Sequence, residues 1–201
     1  MQPPLYATRS GNSARMSRVQ TAARLCLATS LLFLSGCIAN LANDPERRTP
    51  GVVIDDNVLE ALVSREIRRS DSAGFKGSHI AVLSYNGVVL LTGQVPSEAL
   101  RTQATEVTQG LRKVRKVHNE MSIGGPTSLV ARSNDAWLTT KVKTRLIASK
   151  RASGTKVKVQ TENGVVYLMG LLPREDADIA VDVARKVYGV QKIVKVFEYL
   201  D

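Results

Sequence analysis

Few residues of this 201-residue chain have the chemistry for covalent work. There are two histidines, His79 and His118, and two cysteines, Cys26 and Cys37. No Ser-His-Asp order, His-x-x-x-His pair or Walker-type glycine loop is present, so nucleophilic catalysis, zinc hydrolysis and phosphoryl transfer find no residues to use. Beyond residue 37 there is no cysteine at all, which removes disulfides, zinc–thiolate sites and thiol nucleophiles from the body of the protein. Asp55-Asp56 and Glu175-Asp176 are carboxylate pairs, yet each stands where a helix is expected to begin, where acids complement the helix dipole. Gly87, Gly93, Gly164 and Gly170 fall at strand ends, where a turn explains them better than a phosphate does. Neither an enzyme nor a metal or cofactor site is expected. One thiol is placed differently: Cys37 closes the string Leu34-Ser35-Gly36-Cys37 directly behind an apolar run.

That run, residues 25–36, is about a dozen residues long and follows Arg18 and Arg24. It is too short to span a hydrocarbon core of roughly 30 Å as a helix. A basic segment, an apolar segment and then small residues is the layout of a secretory signal. Leu34-Ser35-Gly36-Cys37 resembles the lipobox of bacterial lipoproteins, in which the cysteine thiol receives a diacylglycerol before the leader is cut. The resemblance implies a signal peptide over 1–36, acylation at Cys37, and a lipidated tether over 37–53. Met16 is an alternative start that gives a signal of ordinary length. Ile38 rather than Asp after the cysteine favours delivery to the outer membrane, again by resemblance.

The elements that follow are set out twice. Asp56-Asn57-Val58-Leu59 aligns with Asp135-Ala136-Trp137-Leu138, and Val63 and Ile67 align with Val142 and Leu146. Apolar residues at four-residue spacing predict a helix with one buried face, and each Asp is read as its N-cap. Asn86-Gly87 and Asn163-Gly164 each separate two β-rich runs, the strongest short signal for a hairpin, because both turn residues must accept positive φ. The predicted strands are 80–84 with 88–91, and 157–161 with 165–169. A proline, an acidic start and a second helix follow, ending near Gly110 and Gly189. Last strands are expected over 114–122 and 193–200. Each copy therefore reads α-β-β-α-β, an α+β unit with a three-stranded mixed sheet packed against two helices, about 70 residues and marginal alone. The first spans 54–123, the second 134–201, with a Gly-Gly-Pro linker over 124–133.

The two repeats differ in charge. The whole chain carries +10, of which Arg9, Arg15, Arg18 and Arg24 belong to the leader, leaving +6 for the remainder. The excess of base concentrates on the second copy's first helix and the loop behind it: Lys141, Lys143, Arg145, Lys150, Arg151, Lys156 and Lys158. Trp137, Lys141 and Thr144 stand at i, i+4 and i+7 and share one stripe, one step around from the core stripe Leu138, Val142 and Leu146. An indole beside ammonium groups suits an anionic bilayer surface. A lone Trp next to a core face more often covers the core, however, and helix lysines usually face water, so the stripe alone leaves both readings open.

The duplicated pattern resembles the BON domain, found in tandem in periplasmic proteins of Gram-negative bacteria. With Trp137-Leu138-Thr139-Thr140-Lys141-Val142-Lys143, residues 161–170 and the lipobox, the chain resembles the DolP-like family of dual-BON outer-membrane lipoproteins. Soluble OsmY-like relatives share the two domains and lack the cysteine. The resemblance implies an outer-membrane protein facing the periplasm. The same resemblance implies binding of anionic phospholipid such as phosphatidylglycerol, expected through Trp137, Lys141, Thr144, Lys143 and Arg145, and a role in envelope integrity, including at the division site. The alternative is a protein-interaction module that regulates an envelope protease or an outer-membrane assembly factor. Nucleic acid is a poor partner, since the chain is exported and its aromatics are not interleaved with bases.

Overall fold

The computed structural model describes residues 49–149 and 151–200. The expected signal peptide, Cys37, the tether up to residue 48, and Lys150 lie outside the described residues. The described part runs α1 (Pro50–Ser70), β1 (His79–Tyr85), β2 (Val88–Val95), α2 (Glu98–Gln109), β3 (Lys116–Asn119) and β4 (Ser122–Ile123). The second copy follows as α3 (Leu129–Ala148), a short 3-10 turn (Gly154–Lys156), β5 (Lys158–Glu162), β6 (Val165–Leu172), α4 (Arg174–Arg185) and β7 (Lys192–Tyr199).

Both hairpins form as the Asn-Gly pairs dictate. Asn86 and Gly87 have φ of 55° and 77°, Asn163 and Gly164 of 49° and 73°, so only residues tolerant of the left-handed region fit. β1 pairs antiparallel with β2 from His79↔Gln94 to Tyr85↔Val88, and β5 with β6 from Lys158↔Met169 to Glu162↔Val165. The last strand of each copy returns parallel to the central one, β3 and β4 beside β2 and β7 beside β6. In the first copy that strand is split. The Asn119 side chain turns away to donate to the Arg101 carbonyl (2.8 Å) and Thr105 Oγ1 (2.7 Å), and its oxygen accepts the Met121 amide (3.1 Å).

The first helix of each repeat starts earlier than the sequence pattern suggests, and here the N-cap assignments are corrected. Thr49 caps α1, its hydroxyl accepting the Val52 amide at 3.3 Å, and Ser128 caps α3, accepting the Ala131 amide at 3.1 Å. Thr49 begins the repeat within the expected tether, and Ser128 within the expected linker. Asp56 and Asp135 therefore lie two turns inside their helices, on the buried side. Glu98, Glu175 and Asp176 do occupy first turns, in α2 and α4.

Leu59, Val63 and Ile67 of α1 pack on Val89, Leu91 and Val95 of β2 and on Leu100 and Ala104 of α2. Leu138, Val142 and Leu146 of α3 do the same with Val166, Leu168 and Leu172 of β6 and the alanines of α4. The alternate residues, Val88 and Leu90 of β2 and Tyr167 and Met169 of β6, form a third cluster with Tyr85 and Val196. The sheets thus bury their second faces against each other, which is why the central strands read as unbroken apolar runs. Polar contacts border this seam. Lys158 Nζ donates to Glu60 Oε1 (2.7 Å) and to the Ser84 carbonyl (2.8 Å), Gln94 Nε2 to Glu162 Oε1 (2.8 Å), and Arg115 pairs with both oxygens of Glu198.

Candidate functional site: the outer face of α3

Leu138, Val142 and Leu146 commit one side of α3 to the core, so the opposite side must face outward. Trp137 is on that outward side and is 62% exposed, which settles against its serving as a lid on the core. Lys141, one turn later, folds its ammonium over the indole, 4.0 Å from the ring centroid. The same Nζ donates to the backbone carbonyl of Tyr188 at 3.2 Å and lies 5.9 Å from that residue's ring. Thr144 continues the stripe and is exposed. At 3.6 residues per turn Arg145 flanks the stripe on one side, while Lys143 lies about 120° around from Trp137 on the other. The structure brings Trp137, Lys141 and Thr144 together and separates Lys143 from them.

Two residues of this face were not in the sequence reading. Tyr188 stands in the turn after α4, between buried Val187 and Gly189, and is 90% exposed. Its only sequence signal is an aromatic beside a turn glycine, in a chain with nine aromatics. Val130, one residue into α3 and 72% exposed, extends the Trp137 stripe two turns toward the helix start. It was missed because that turn was assigned to the linker. Below Trp137 and Tyr188 runs a groove of about 390 Å³, reaching Leu138, Asn134 and the Asn163-Gly164 turn.

The other basic residues that distinguish the second repeat do not all belong to this face. Lys158 is turned into the seam, paired with Glu60, and Lys156 sits in the 3-10 turn before β5. Arg151 is exposed.

The remaining titratable groups are built into the framework. His118 in β3 is half-buried. Burial, with Lys116 beside it, lowers its pKa from the ordinary 6.5, against the opposing pull of Glu120 and Glu198. His79 Nε2 lies 3.5 Å from Glu162 Oε2 across the seam. Burial, then Glu120 and Glu162, push the Tyr167 phenol up to about 12. Among the described residues no three of His, Cys, Asp and Glu are grouped so as to hold a metal ion, and no helix is long and apolar enough to cross a membrane.

The BON domain profile matches this chain twice, over residues 55–125 and 134–201. The chain is 38% identical over 185 residues to outer membrane lipoprotein DolP of Haemophilus influenzae, covering 87% of this chain and 94% of that one. It is 39% identical to a 21 kDa hemolysin of Actinobacillus pleuropneumoniae, covering 76% of this chain and 78% of the relative. With osmotically-inducible protein Y of Escherichia coli K12 it shares 28% identity over 75% of each chain. A duplicated α-β-β-α-β unit, matched in both copies and shared along nearly the whole length of a relative, makes this chain a member of the BON-domain family.

Proposed function

We propose that this chain is a lipid-anchored outer-membrane protein, facing the periplasm, whose second BON domain binds anionic phospholipid and so supports envelope integrity. The anchor reading rests on Leu34-Ser35-Gly36-Cys37 behind an apolar leader, and on similarity to a relative named an outer membrane lipoprotein. By the family resemblance, this role extends to the division site. The observation that carries the lipid reading is the exposed Trp137–Lys141–Tyr188 arrangement: one ammonium held at two outward-facing rings. Aromatic rings of this kind settle at headgroup depth, and a cation between them meets phosphate there. Each basic residue near an anionic surface contributes about 1 kcal/mol, screened by salt. That is weak alone and sufficient for a protein already tethered, because the anchor raises the local concentration of bilayer.

Two measurements test the proposal. Palmitate labelling with membrane fractionation should show wild type acylated and membrane-bound, and Cys37→Ala neither. The mature polypeptide carrying Cys37→Ala should co-sediment with phosphatidylglycerol vesicles and not with phosphatidylcholine vesicles. Binding indifferent to lipid charge would sink the proposed site.

A further inference from the structure

The last strand of each sheet has one edge on the central strand and a second edge that no described strand covers. In the first repeat that outer edge is broken into β3, of four residues, and β4, of two, with Asn119 at the break. Asn119 and Lys195 are equivalent. They pair with Leu91 and Leu168, which occupy the same place after the two Asn-Gly turns. The short Asn119 side chain bonds to the Arg101 carbonyl of α2 and to the amide of Met121 in its own strand, and the strand buckles there. Lys195 is long enough to reach α4 without leaving the ladder, and its Nζ donates to Asp178 Oδ1 at 2.8 Å. β7 therefore runs on for eight residues, paired with β6 from Val165↔Lys192 to Leu172↔Tyr199.

A strand gives only alternate residues to any one neighbour in a parallel ladder. The Gln191 amide bonds to the Gly164 carbonyl at 3.0 Å, so Ile193, Lys195 and Phe197 follow it toward β6. The amides and carbonyls of Lys192, Val194 and Val196 then point outward along the free edge. Between this strand and α4 lies a hollow of about 300 Å³, lined by Val181, Val190 and Ile193 together with Arg185, Lys192 and Lys195. Its lining holds three cations and no acid. Lys192 is exposed and has no ion pair among the described residues, and Arg185 has only a loose contact with exposed Asp182, at 3.8 Å.

We propose that β7 is a docking edge for an extended acidic segment of a partner protein, which adds to the second sheet as a fourth strand. Main-chain bonds to the three outward positions supply affinity, and side chains alternating along the segment supply selectivity. Short apolar side chains fill the hollow against Val181 and Ile193, and acidic ones meet Arg185 and Lys192. Lysines on a sheet edge also keep identical copies apart. A second copy paired antiparallel about the middle of β7 would set Lys195 against Lys195, which is destabilising, whereas an acidic strand turns the same charges to attraction. The edge is built from other elements than the Trp137 stripe, so docking there does not require lipid binding.

The test uses the mature polypeptide with Cys37→Ala and a synthetic peptide of alternating valine and glutamate, as long as β7, followed by NMR titration and amide hydrogen exchange. On binding, exchange should slow at the amides of Lys192, Val194 and Val196. It should stay as it was at Ile193, Lys195 and Phe197, which β6 already holds. A valine–lysine peptide should bind about ten-fold more weakly, and so should the glutamate peptide to Lys192→Glu, an exposed substitution that should leave thermal unfolding unchanged. The N-methylated glutamate peptide, which keeps the side chains and loses the amide donors, should not bind. Absence of binding by the glutamate peptide, protection elsewhere than at the three outward amides, or affinity indifferent to peptide charge or to N-methylation overturns the docking edge. A chain that sediments as a dimer with those three amides already protected assigns the edge to a second copy, and overturns it equally.

Discussion

Asp56 accepts the backbone amide of Gly87 at 3.1 Å, from the buried side of a helix to the tip of a hairpin 31 residues away. The same carboxylate takes the Asn86 amide at 2.9 Å and the Ser84 hydroxyl at 2.7 Å, and it is 3% exposed. Asp135 repeats the arrangement on Asn163 and Gly164. A left-handed turn leaves its amides pointing out of the ladder, and a buried amide without a partner is costly. The aspartate supplies that partner and locks helix to hairpin. Removing it should destabilise the fold by about 3 kcal/mol at Asp56→Ala and about 2 kcal/mol at Asp135→Ala, since each leaves buried donors unpaired. Urea unfolding of the two variants measures this. A loss typical of an exposed cap, with Asp56→Ala no worse than Asp135→Ala, would refute the latch.

Lys158 of the basic loop works between the repeats. Its ammonium serves Glu60 of α1 and the Ser84 carbonyl of β1, with both charged side chains mostly buried. Lys158→Ala should leave Glu60 a carboxylate without its counter-ion. Partial exposure at the seam discounts the Coulomb energy, so a coupling of about 1 kcal/mol is expected between Lys158→Ala and Glu60→Ala in a double-mutant cycle. Additive losses would mean that the pair contributes nothing.

The pH dependence near neutrality should carry the signature of His118. Burial, and Lys116 next, hold its pKa below 6.5 in the folded chain, whereas in the unfolded chain it returns to about that value. The unfolded state therefore binds the proton more readily. This contribution to stability is complete above 6.5 and is lost as pH falls below it. Thermal unfolding of wild type and His118→Gln across that range should show a shallower acid-side decline in the variant. A titration of the ring by NMR that places its pKa above 6.5 would contradict the burial account.

On the outer face of α3 the effects should follow position on the helix rather than charge count. Lys141→Glu reverses the cation that Trp137 and Tyr188 hold, whereas Lys143→Glu alters a cation about 120° around the helix from Trp137. Phosphatidylglycerol vesicle binding should fall about thirty-fold for Lys141→Glu, the equivalent of reversing one surface charge at about 1 kcal/mol each way, and markedly less for Lys143→Glu. Tyr188→Ala should weaken binding with the net charge unchanged. Equal losses for the two lysines would point to diffuse attraction instead of a site.

How much of this was legible beforehand depends on the range of the interaction. Asn86-Gly87 and Asn163-Gly164 announce their hairpins because the φ requirement falls on two adjacent residues. The core stripes Leu59-Val63-Ile67 and Leu138-Val142-Leu146 follow from helical spacing alone, and the repeat from comparing the chain with itself. The starts of α1 and α3 were displaced because Thr49 and Ser128 cap turns made of residues with no strong apolar period.

What the residues alone determined is therefore the pair of α-β-β-α-β units, read from neighbours along the chain. Tertiary structure decided what those units do to one another. Val88 and Tyr167 face across a sheet-to-sheet seam, Asp56 serves a turn instead of a helix end, and Lys141 meets a carbonyl 47 residues downstream. Local pattern specifies which side of an element is apolar or charged. It does not specify which distant group will cover that side, because that depends on packing the whole chain at once. The Trp137 stripe shows the division: its composition was on the page from the start, and its exposure, its tyrosine and its groove came only with the fold.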